Sequence, residues 1–113
     1  MLMNIKVKRG EVYYVDLTPS QGSEQGGLRP CVIVQNDIGN TYSPTTIIVP
    51  LTTAVKKQLP THRAVGYTRG VKGIVLCEQI RVIDKSRLKN RLCTLSADLM
   101  EKIDETIKVS LGL

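Results

Sequence analysis

Short apolar runs separated by turn residues occupy most of the chain before residue 96. Glycine, proline, asparagine or serine flanks most of these runs, and β-branched and aromatic residues are common within them, which is typical of strands. The predicted strands cover residues 10–17, 31–35, 45–51, 62–68, 74–82 and 91–95. Residues 84–88 are predicted to form a short helical turn, and 36–40 and 69–73 to form turns.

The pattern changes after Ser96, where apolar residues recur at 99, 103, 107 and 111. This spacing predicts one amphipathic helix, with Ser96 as its N-cap and Asp98 in the first turn, where the helix dipole favours an anion. Five or six short strands followed by one helix predict a small, strongly bent antiparallel barrel. A length of 113 residues fits a single domain spanning the chain.

Charge and cysteine content narrow the functional classes. Sixteen Lys and Arg residues against ten Asp and Glu residues give a formal charge of +6, which favours nucleic acid as a partner. No apolar run approaches the roughly 20 residues of a membrane span, and no secretory signal precedes the first strand. Three cysteines without a C-x-x-C spacing are predicted to be buried, reduced side chains. We therefore expect a cytoplasmic protein without a membrane partner.

A glycine-rich stretch at 22–30, Gly-Ser-Glu-Gln-Gly-Gly-Leu-Arg-Pro, follows the first strand. Three glycines within six residues predict a loop, and a long loop in a small domain is often functional. Pro30 is predicted to be the first residue of the next strand, so Arg29 would lie where the loop meets the sheet. A cation there can act on a ligand that the loop covers. Equally, glycine clusters form plain turns, and an arginine beside a proline can be a solvated charge.

The chain has few groups for conventional catalysis. His62 is its only histidine, which rules out an acid–base pair of imidazoles, and no metal-binding or Walker motif is present. We therefore expect no metal and no cofactor. What remains is a set of polar residues at predicted strand ends: Glu24, Arg29, Thr52, Thr53, Glu78, Gln79 and Arg81.

Such a set is sufficient for cleavage of RNA at an internal phosphate. The substrate supplies the nucleophile, its own 2′-hydroxyl, so the protein needs to orient it and stabilise charge on the phosphate oxygens. A guanidinium offers a planar fork of donors for this purpose, and a threonine hydroxyl can donate one hydrogen bond.

Each candidate also has a structural explanation. Threonines suit strands, Glu78 and Gln79 can be the solvent-facing residues of a strand, and a lone histidine is often a packed ring. Lys56 and Lys57 fit a solvated loop over 52–61. Aromatic residues are scarce, with four tyrosines and no Phe or Trp, so few platforms are available for stacking bases. The adjacent Tyr13 and Tyr14 point to opposite faces of a strand, so at most one faces a ligand.

Six sequence blocks together resemble the MazF/PemK family of toxin endoribonucleases. They are Arg-Gly-Glu-Val-Tyr at 9–13, the block at 22–30, Gln-Asn-Asp at 35–37, Pro-Leu-Thr at 50–52, Leu-Pro-Thr-His at 59–62 and Glu-Gln-Ile-Arg at 78–81. The resemblance implies an SH3-like barrel of the MazF/PemK/CcdB type, assembled as a homodimer that binds single-stranded RNA along its interface. It also implies a cognate MazE-like antitoxin whose tail occupies the same groove.

The resemblance further implies a metal-independent reaction that leaves a 2′,3′-cyclic phosphate and a 5′-hydroxyl. Arg29 and Thr52 match the family's catalytic pair, the loop matching 23–27 gates RNA, and Glu24 and Gln79 match positions that contact it. Because arginine is too basic to lose its proton readily, Glu24 or a water would take the 2′-proton. The predicted RNA-binding residues are Ser23, Glu24, Gln25, Asn36, Thr53, His62, Glu78, Gln79 and Arg81.

Two other functions fit the same residues. One is a toxin of this fold that poisons a protein target, such as a topoisomerase, without cutting RNA. The other is a non-catalytic RNA-binding module. The cleaved sequence and the partner antitoxin are left open.

Overall fold

A computed structural model describes residues 6–54, 57–67 and 70–113, and the backbone alone at 68. Lys56 lies outside the described residues. The two α-helices are α1 (Asp37–Tyr42) and α2 (Ala97–Leu111), and 3-10 turns form at Cys77–Gln79 and Lys85–Arg87. The strands are β1 (Glu11–Asp16), β2 (Leu28–Ile33), β3 (Thr45–Thr52), β4 (His62–Thr68), β5 (Val71–Leu76), β6 (Arg81–Asp84) and β7 (Leu88–Thr94).

The strands form one antiparallel sheet in the order β4-β5-β3-β2-β1-β7, which curves into a half-barrel closed off by α2. β3 lies at its centre: it pairs with β2 on one edge, and on the other edge with β6 near its start and β5 at its end. Pro50 lies between the β6-paired and β5-paired stretches, where its missing N–H interrupts no ladder on that edge.

Apolar side chains alternate between the two faces of this sheet, as the strand period requires. Val12, Val32 and Val49 lie opposite one another on β1, β2 and β3 and pack with Ile103 of α2. The intervening residues belong to a second cluster on the other face: Tyr13, Val15, Cys31, Ile33, Ile48, Ile83 and Leu88 are among them. We call this second side of the sheet the outer face, because α2 packs on the first.

α2 forms as the four-residue pattern predicts. The Ser96 hydroxyl accepts a hydrogen bond from the backbone N–H of Leu99 at 3.2 Å, and Gly112 ends the helix with a φ of +73°. Ile103 is fully buried, whereas Leu111 is 52% exposed, so the apolar stripe extends past the edge of the sheet. No helix among the described residues has the length and apolar character to cross a membrane.

Several predicted bounds differ from the structure: β5 already starts at Val71, within the predicted turn at 69–73, and the last strand starts at Leu88 and not at 91. Three further differences bear on the site. The second strand starts at Leu28, so Pro30 lies inside it; Pro30 is tolerated because the pairing with β3 begins only at Cys31. The predicted turn at 36–40 contains most of α1, which Asn36 caps by accepting a bond from the Gly39 N–H at 2.8 Å.

The third difference concerns the predicted strand at 74–82. Both β5 and β6 run along the same edge of β3, but the register shifts by three positions between Leu51↔Val75 and Ile48↔Arg81. The chain accommodates these three residues by extruding Cys77–Gln79 as a 3-10 turn. Glu78 and Gln79 are therefore turn residues, available for contacts that a strand would not allow.

Candidate functional site

Arg29, Thr52 and Arg81 share the outer face of the sheet: Arg29 and Thr52 lie at the end of β3, and Arg81 lies beside its middle, opposite Ile48. Cys31 lies opposite Pro50. Arg29 is two residues before Cys31 and Thr52 is two residues after Pro50, so both side chains lie on the same side of the sheet as that of Cys31. Arg81 lies opposite Ile48 and shares that side too. The three residues come from β2, β3 and β6, so only the folded sheet brings them to one face.

The Cys31 thiol is in the electrostatic field of both guanidiniums. Burial raises the pKa of Cys31 to about 12, and the positive charges of Arg81 and Arg29 oppose this rise. Arg29 is exposed at the edge of this face, so its positive charge is accessible to a phosphate.

Arg29 and Thr52 are held by the backbone around them. Arg29 is exposed, and its Nε donates a hydrogen bond to the carbonyl of Gly26 at 3.1 Å, which ties the guanidinium to the preceding loop. Thr52 is only 3% exposed, and its Oγ1 accepts from the Ala54 N–H at 3.1 Å. Because that oxygen accepts from the backbone, its own proton is available to donate to a ligand.

A cleft of about 440 Å³ begins at Thr52 and extends over the β4–β5 strand pair. Gly73 allows β5 to approach the end of β3 closely, because a Cβ at this position would lie 2.4 Å from the Thr52 carbonyl oxygen. Its φ of +126° is also a conformation that glycine adopts readily. The lining residues are Thr52, Thr53, Ala54, Ala64, Gly66, Tyr67, Lys72, Gly73 and Ile74.

The loop between β1 and β2 (residues 17–27) is pinned by Gln79. The Gln79 Oε1 accepts from the Gln25 N–H and its Nε2 donates to the Ser23 carbonyl, both at 3.3 Å. The side-chain Oε1 of Gln25 is buried and has no hydrogen-bond partner within the described residues. Gln79 thus brings together three of the predicted RNA-binding residues, through the 3-10 turn that the sequence did not reveal.

Two arginines hold the start of the same loop through hydrogen bonds to backbone carbonyls. Arg81 donates to the Leu17 carbonyl at 3.4 Å, and Arg87 donates to the carbonyls of Asp16 and Thr18 at 3.1 and 2.7 Å. Arg87 is not among the residues predicted from the sequence, because its partners are backbone carbonyls about 70 residues earlier in the chain. No local pattern signals such a contact.

His62 belongs to a separate group of contacts with Thr61 and Glu78. The His62 Nε2 lies 3.1 Å from one Glu78 carboxylate oxygen, and the Thr61 hydroxyl donates to the other at 2.8 Å. The His62 side chain is 4% exposed, and its Nδ1 is buried without a partner among the described residues. His62 is thus a packed, hydrogen-bonded ring, which is the structural role that a lone histidine often has.

Glu78 has a lowered pKa. Desolvation is the largest effect and raises the pKa, but hydrogen bonds from the Glu78 backbone N–H, Thr61 and His62 together outweigh it. The carboxylate is consequently ionised at neutral pH and orients the His62 ring.

The remaining predicted residues lie in different parts of the fold, and Asn36 follows the end of β2 that is remote from Arg29. Glu24 is exposed and its Oε1 accepts from the Gln21 N–H at 2.7 Å, while the Asn36 side-chain oxygen is used as the α1 cap. Thr53 is exposed and lines the cleft. Among the described residues, no group of three or more His, Cys, Asp or Glu side chains is placed to hold a metal ion.

Comparison with known proteins assigns the chain to a family. Residues 8–111 match the PemK-like, MazF-like toxins of type II toxin-antitoxin systems. The chain is 47% identical to the endoribonuclease EndoA of Bacillus subtilis strain 168, covering 95% of this chain and 96% of that protein.

Solved structures agree with the sequence match. One is an endoribonuclease in complex with its cognate antitoxin from Mycobacterial species, 30% identical with a TM-score of 0.82, covering 95% of this chain and 96% of that one. Another is MazF of Deinococcus radiodurans, 26% identical with a TM-score of 0.86, covering 96% and 99% of the two chains. The chain belongs to the PemK-like, MazF-like family of toxins. The family identified from the sequence blocks is confirmed.

Proposed function

We propose that this toxin is a sequence-specific endoribonuclease that cleaves single-stranded RNA, mRNA in particular, without a metal ion or cofactor. The 2′-oxygen of the substrate attacks the adjacent phosphorus and the bond to the 5′-oxygen breaks. The products carry a 2′,3′-cyclic phosphate and a 5′-hydroxyl. The endoribonuclease names of the 47% identical relative and of a 30% identical structure support this activity.

In this mechanism Arg29 stabilises the negative charge that gathers on the phosphate oxygens and protonates the leaving 5′-oxygen, an alkoxide that is basic enough to take a proton from a guanidinium. The proton removed from the 2′-hydroxyl then restores Arg29 through water. Thr52 donates a hydrogen bond from its hydroxyl to the phosphate and fixes its position. One observation carries the assignment: the β2–β3 register gives both side chains the same face at the same end of β3. Removing one preorganised donor of this kind typically costs about 3 kcal/mol of transition-state stabilisation, roughly a hundredfold or more in rate.

The 2′-proton goes to Glu24 or to a water that Glu24 orients. Glu24 is exposed and lies in the loop that Gln79 and Arg29 tie to the sheet, so its carboxylate can reach a bound ribose. The remaining predicted RNA contacts are Ser23, Gln25, Asn36, Thr53, His62, Glu78, Gln79 and Arg81, most of which border the loop or the cleft.

The proposed assembly is a homodimer in the cytoplasm, neutralised by a cognate MazE-like antitoxin. Complexes of relatives with antitoxins support this partner: one Mycobacterial endoribonuclease and the MazE-MazF of Deinococcus radiodurans, which is 26% identical to this chain. An acidic antitoxin segment would be attracted to the accessible charge of Arg29 for the same reason as RNA.

Single substitutions at Arg29 and Thr52 test the mechanism. We expect Arg29→Ala and Thr52→Ala each to slow cleavage of single-stranded RNA by about a hundredfold or more, measured on gels with EDTA present. Lys89→Ala, an exposed basic residue on β7, is the matched control and should cut normally. Near wild-type cleavage by either variant would contradict the assignment.

A modified substrate separates cutting from binding. RNA with 2′-deoxyribose at the scissile position lacks the nucleophile, so it should bind with nearly unchanged affinity and stay intact. Intact natural RNA after incubation with the wild-type protein would instead favour a toxin that poisons a protein target, or a non-catalytic RNA-binding module. Sequencing the 5′ ends of the fragments would give the cleaved sequence.

A further inference from the structure

The cleft that begins at Thr52 continues beyond the catalytic pair. Thr52 pairs with Ile74 of β5, which pairs with Ala64 of β4, and the cleft then follows the strand pair toward its turn. Arg29 is not among the residues that line it. The residues along this part of the cleft therefore need a role other than catalysis of the cleavage step.

Tyr67 and Lys72 stand at the far end of the cleft. They are opposite one another across β4 and β5, so their side chains project from the same face as neighbours. Tyr67 is 79% exposed, although tyrosine rings normally bury much of their surface, and Lys72 is exposed as well. Packing does not explain the aromatic ring, because little of it touches the protein.

The floor between Thr52 and these two side chains consists of Ala64, Ile74, Gly66 and Gly73, which are small or apolar. Gly66 and Gly73 are opposite one another in the strand pair. A Cβ at Gly73 would clash with the Thr52 carbonyl, so the end of β3 covers that position, whereas a Cβ at Gly66 would meet no atom within 4 Å. The floor is thus low, and it is open above Gly66.

An exposed aromatic ring, a cation and a low floor suit a nucleotide. Bases of single-stranded RNA stack on aromatic side chains and their phosphates are neutralised by lysine or arginine. Lys72 lies two residues along β5 from Ile74, roughly 7 Å from the row that contains Thr52, so a neighbouring nucleotide can reach it. The net charge of +6 favours a polyanion as occupant.

We infer that this cleft is a subsite for the nucleotide next to the scissile phosphate, with its base stacked on Tyr67 and its phosphate beside Lys72. The inference rests on the proposed ribonuclease function and adds a binding subsite to it. Tyr67 is a binding residue in this assignment and has no part in the chemical step.

Affinity for the uncleavable deoxyribose-substituted RNA tests the subsite. We expect Tyr67→Ala to weaken binding by about 5- to 100-fold, the range of one lost base stack, while Tyr67→Phe retains binding. Lys72→Gln should lower the log-log slope of affinity against salt by about 0.7, the value of one phosphate contact on a single strand. Tyr42→Ala is the control, because Tyr42 is 84% exposed but lies on α1 outside the cleft.

A shortened substrate makes the test specific. The minimal RNA is shortened by one nucleotide, either at its 5′ end or at its 3′ end. Only one of these deletions removes the nucleotide that stacks on Tyr67, so only that RNA should bind equally well to wild type and Tyr67→Ala. A structural effect of the substitution would persist for every RNA length.

The outcomes separate the subsite from the proposed function. If Tyr67→Ala binds like wild type while Arg29→Ala has lost cleavage, the subsite is wrong and the ribonuclease assignment stands. If wild-type protein leaves RNA intact, the ribonuclease assignment fails first. If Tyr67→Ala weakens only the binding of the cognate antitoxin, the cleft is a protein-binding surface and the inference is overturned.

Discussion

Thr52 shows how one residue serves structure and chemistry together. Its β-branched side chain suits the end of a strand, and it is almost fully buried, as a structural explanation predicts. Yet its Oγ1 accepts from Ala54, which fixes the hydroxyl at the edge of the cleft. Burial is an advantage for this role, because a donor in a site of low dielectric acts more strongly on a developing charge.

His62 and Glu78 illustrate the opposite case, a pair with a clear structural role. The Glu78 carboxylate accepts bonds from Thr61 and His62, and the histidine ring is buried beside it. Their predicted contact with RNA therefore has to use the exposed part of Glu78, since the His62 ring is covered.

The lowered pKa of Glu78 predicts a pH-dependent stability. Its ionised form is favoured in the folded state, so its contribution is present above the ordinary value near 4.5 and is lost as pH falls through the lowered folded value. We expect Glu78→Gln to have a lower Tm than wild type at pH 7, and the difference to shrink as the pH falls below 4.5 and through the lowered folded pKa, measured by thermal melts.

Glu105→Gln, an exposed position on α2, serves as the control for the loss of one negative charge. A Tm difference for Glu78→Gln that stays constant from pH 7 into this acidic range would show that Glu78 acts through its shape alone.

At the scale of elements, β3 organises the site because it has partners on both edges. β2 brings Arg29 to one side, β6 brings Arg81 to the other, and β5 brings Gly73 against the strand's last residue. The shift from β5 to β6 extrudes the turn that carries Gln79, which then holds the β1–β2 loop. The register shift between β5 and β6 thus places Gln79 where its side chain holds the loop against the sheet.

The short helix α1 depends on its cap. Asn36 accepts from the Gly39 N–H, and a helix of six residues has too few internal bonds to replace that contact. We expect Asn36→Ala to lower the free energy of unfolding by about 1 kcal/mol in urea titrations, and Asn36→Ser, which keeps a capping oxygen, to cost clearly less.

The same two variants separate the capping role of Asn36 from its predicted contact with RNA. If Asn36→Ser restores stability but RNA affinity stays low, the amide contacts RNA directly. Equal stability of Asn36→Ala and wild type would show that the cap contributes little to folding.

At the scale of the molecule, the register predicts that each protomer holds a complete catalytic pair. Arg29 and Thr52 share one face of one sheet, so a mixed dimer of Arg29→Ala and Thr52→Ala protomers has no intact site. We expect mixtures of the two variants to cut RNA no faster than either alone, measured after co-purification of an untagged variant with a tagged one has shown that mixed dimers form.

A mixture of Arg29→Ala with wild type should keep activity and is the control for subunit exchange. If the two inactive variants restore cleavage when mixed, the pair is assembled across the dimer interface, and the single-protomer arrangement is wrong.

Much of this architecture could be predicted from the local pattern. The four-residue period and Ser96 defined α2, and alternating β-branched runs located most strands, because these signals depend on neighbours within a few positions. The six sequence blocks are sufficient by themselves to identify the family. Local patterns failed at 74–82, where a mainly apolar run without glycine or proline hides a break that pairing with β3 imposes.

By itself, the sequence determined the kinds of residue available: a basic chain with one histidine, a glycine-rich loop and an arginine beside it. Only the tertiary structure decided which of them meet. The outer-face grouping of Arg29, Thr52 and Arg81, the grip of Gln79 on the loop and the exposed Tyr67 at the end of the cleft all depend on strand pairing. Pairing joins residues far apart in sequence, and no pattern within a short window encodes those distances.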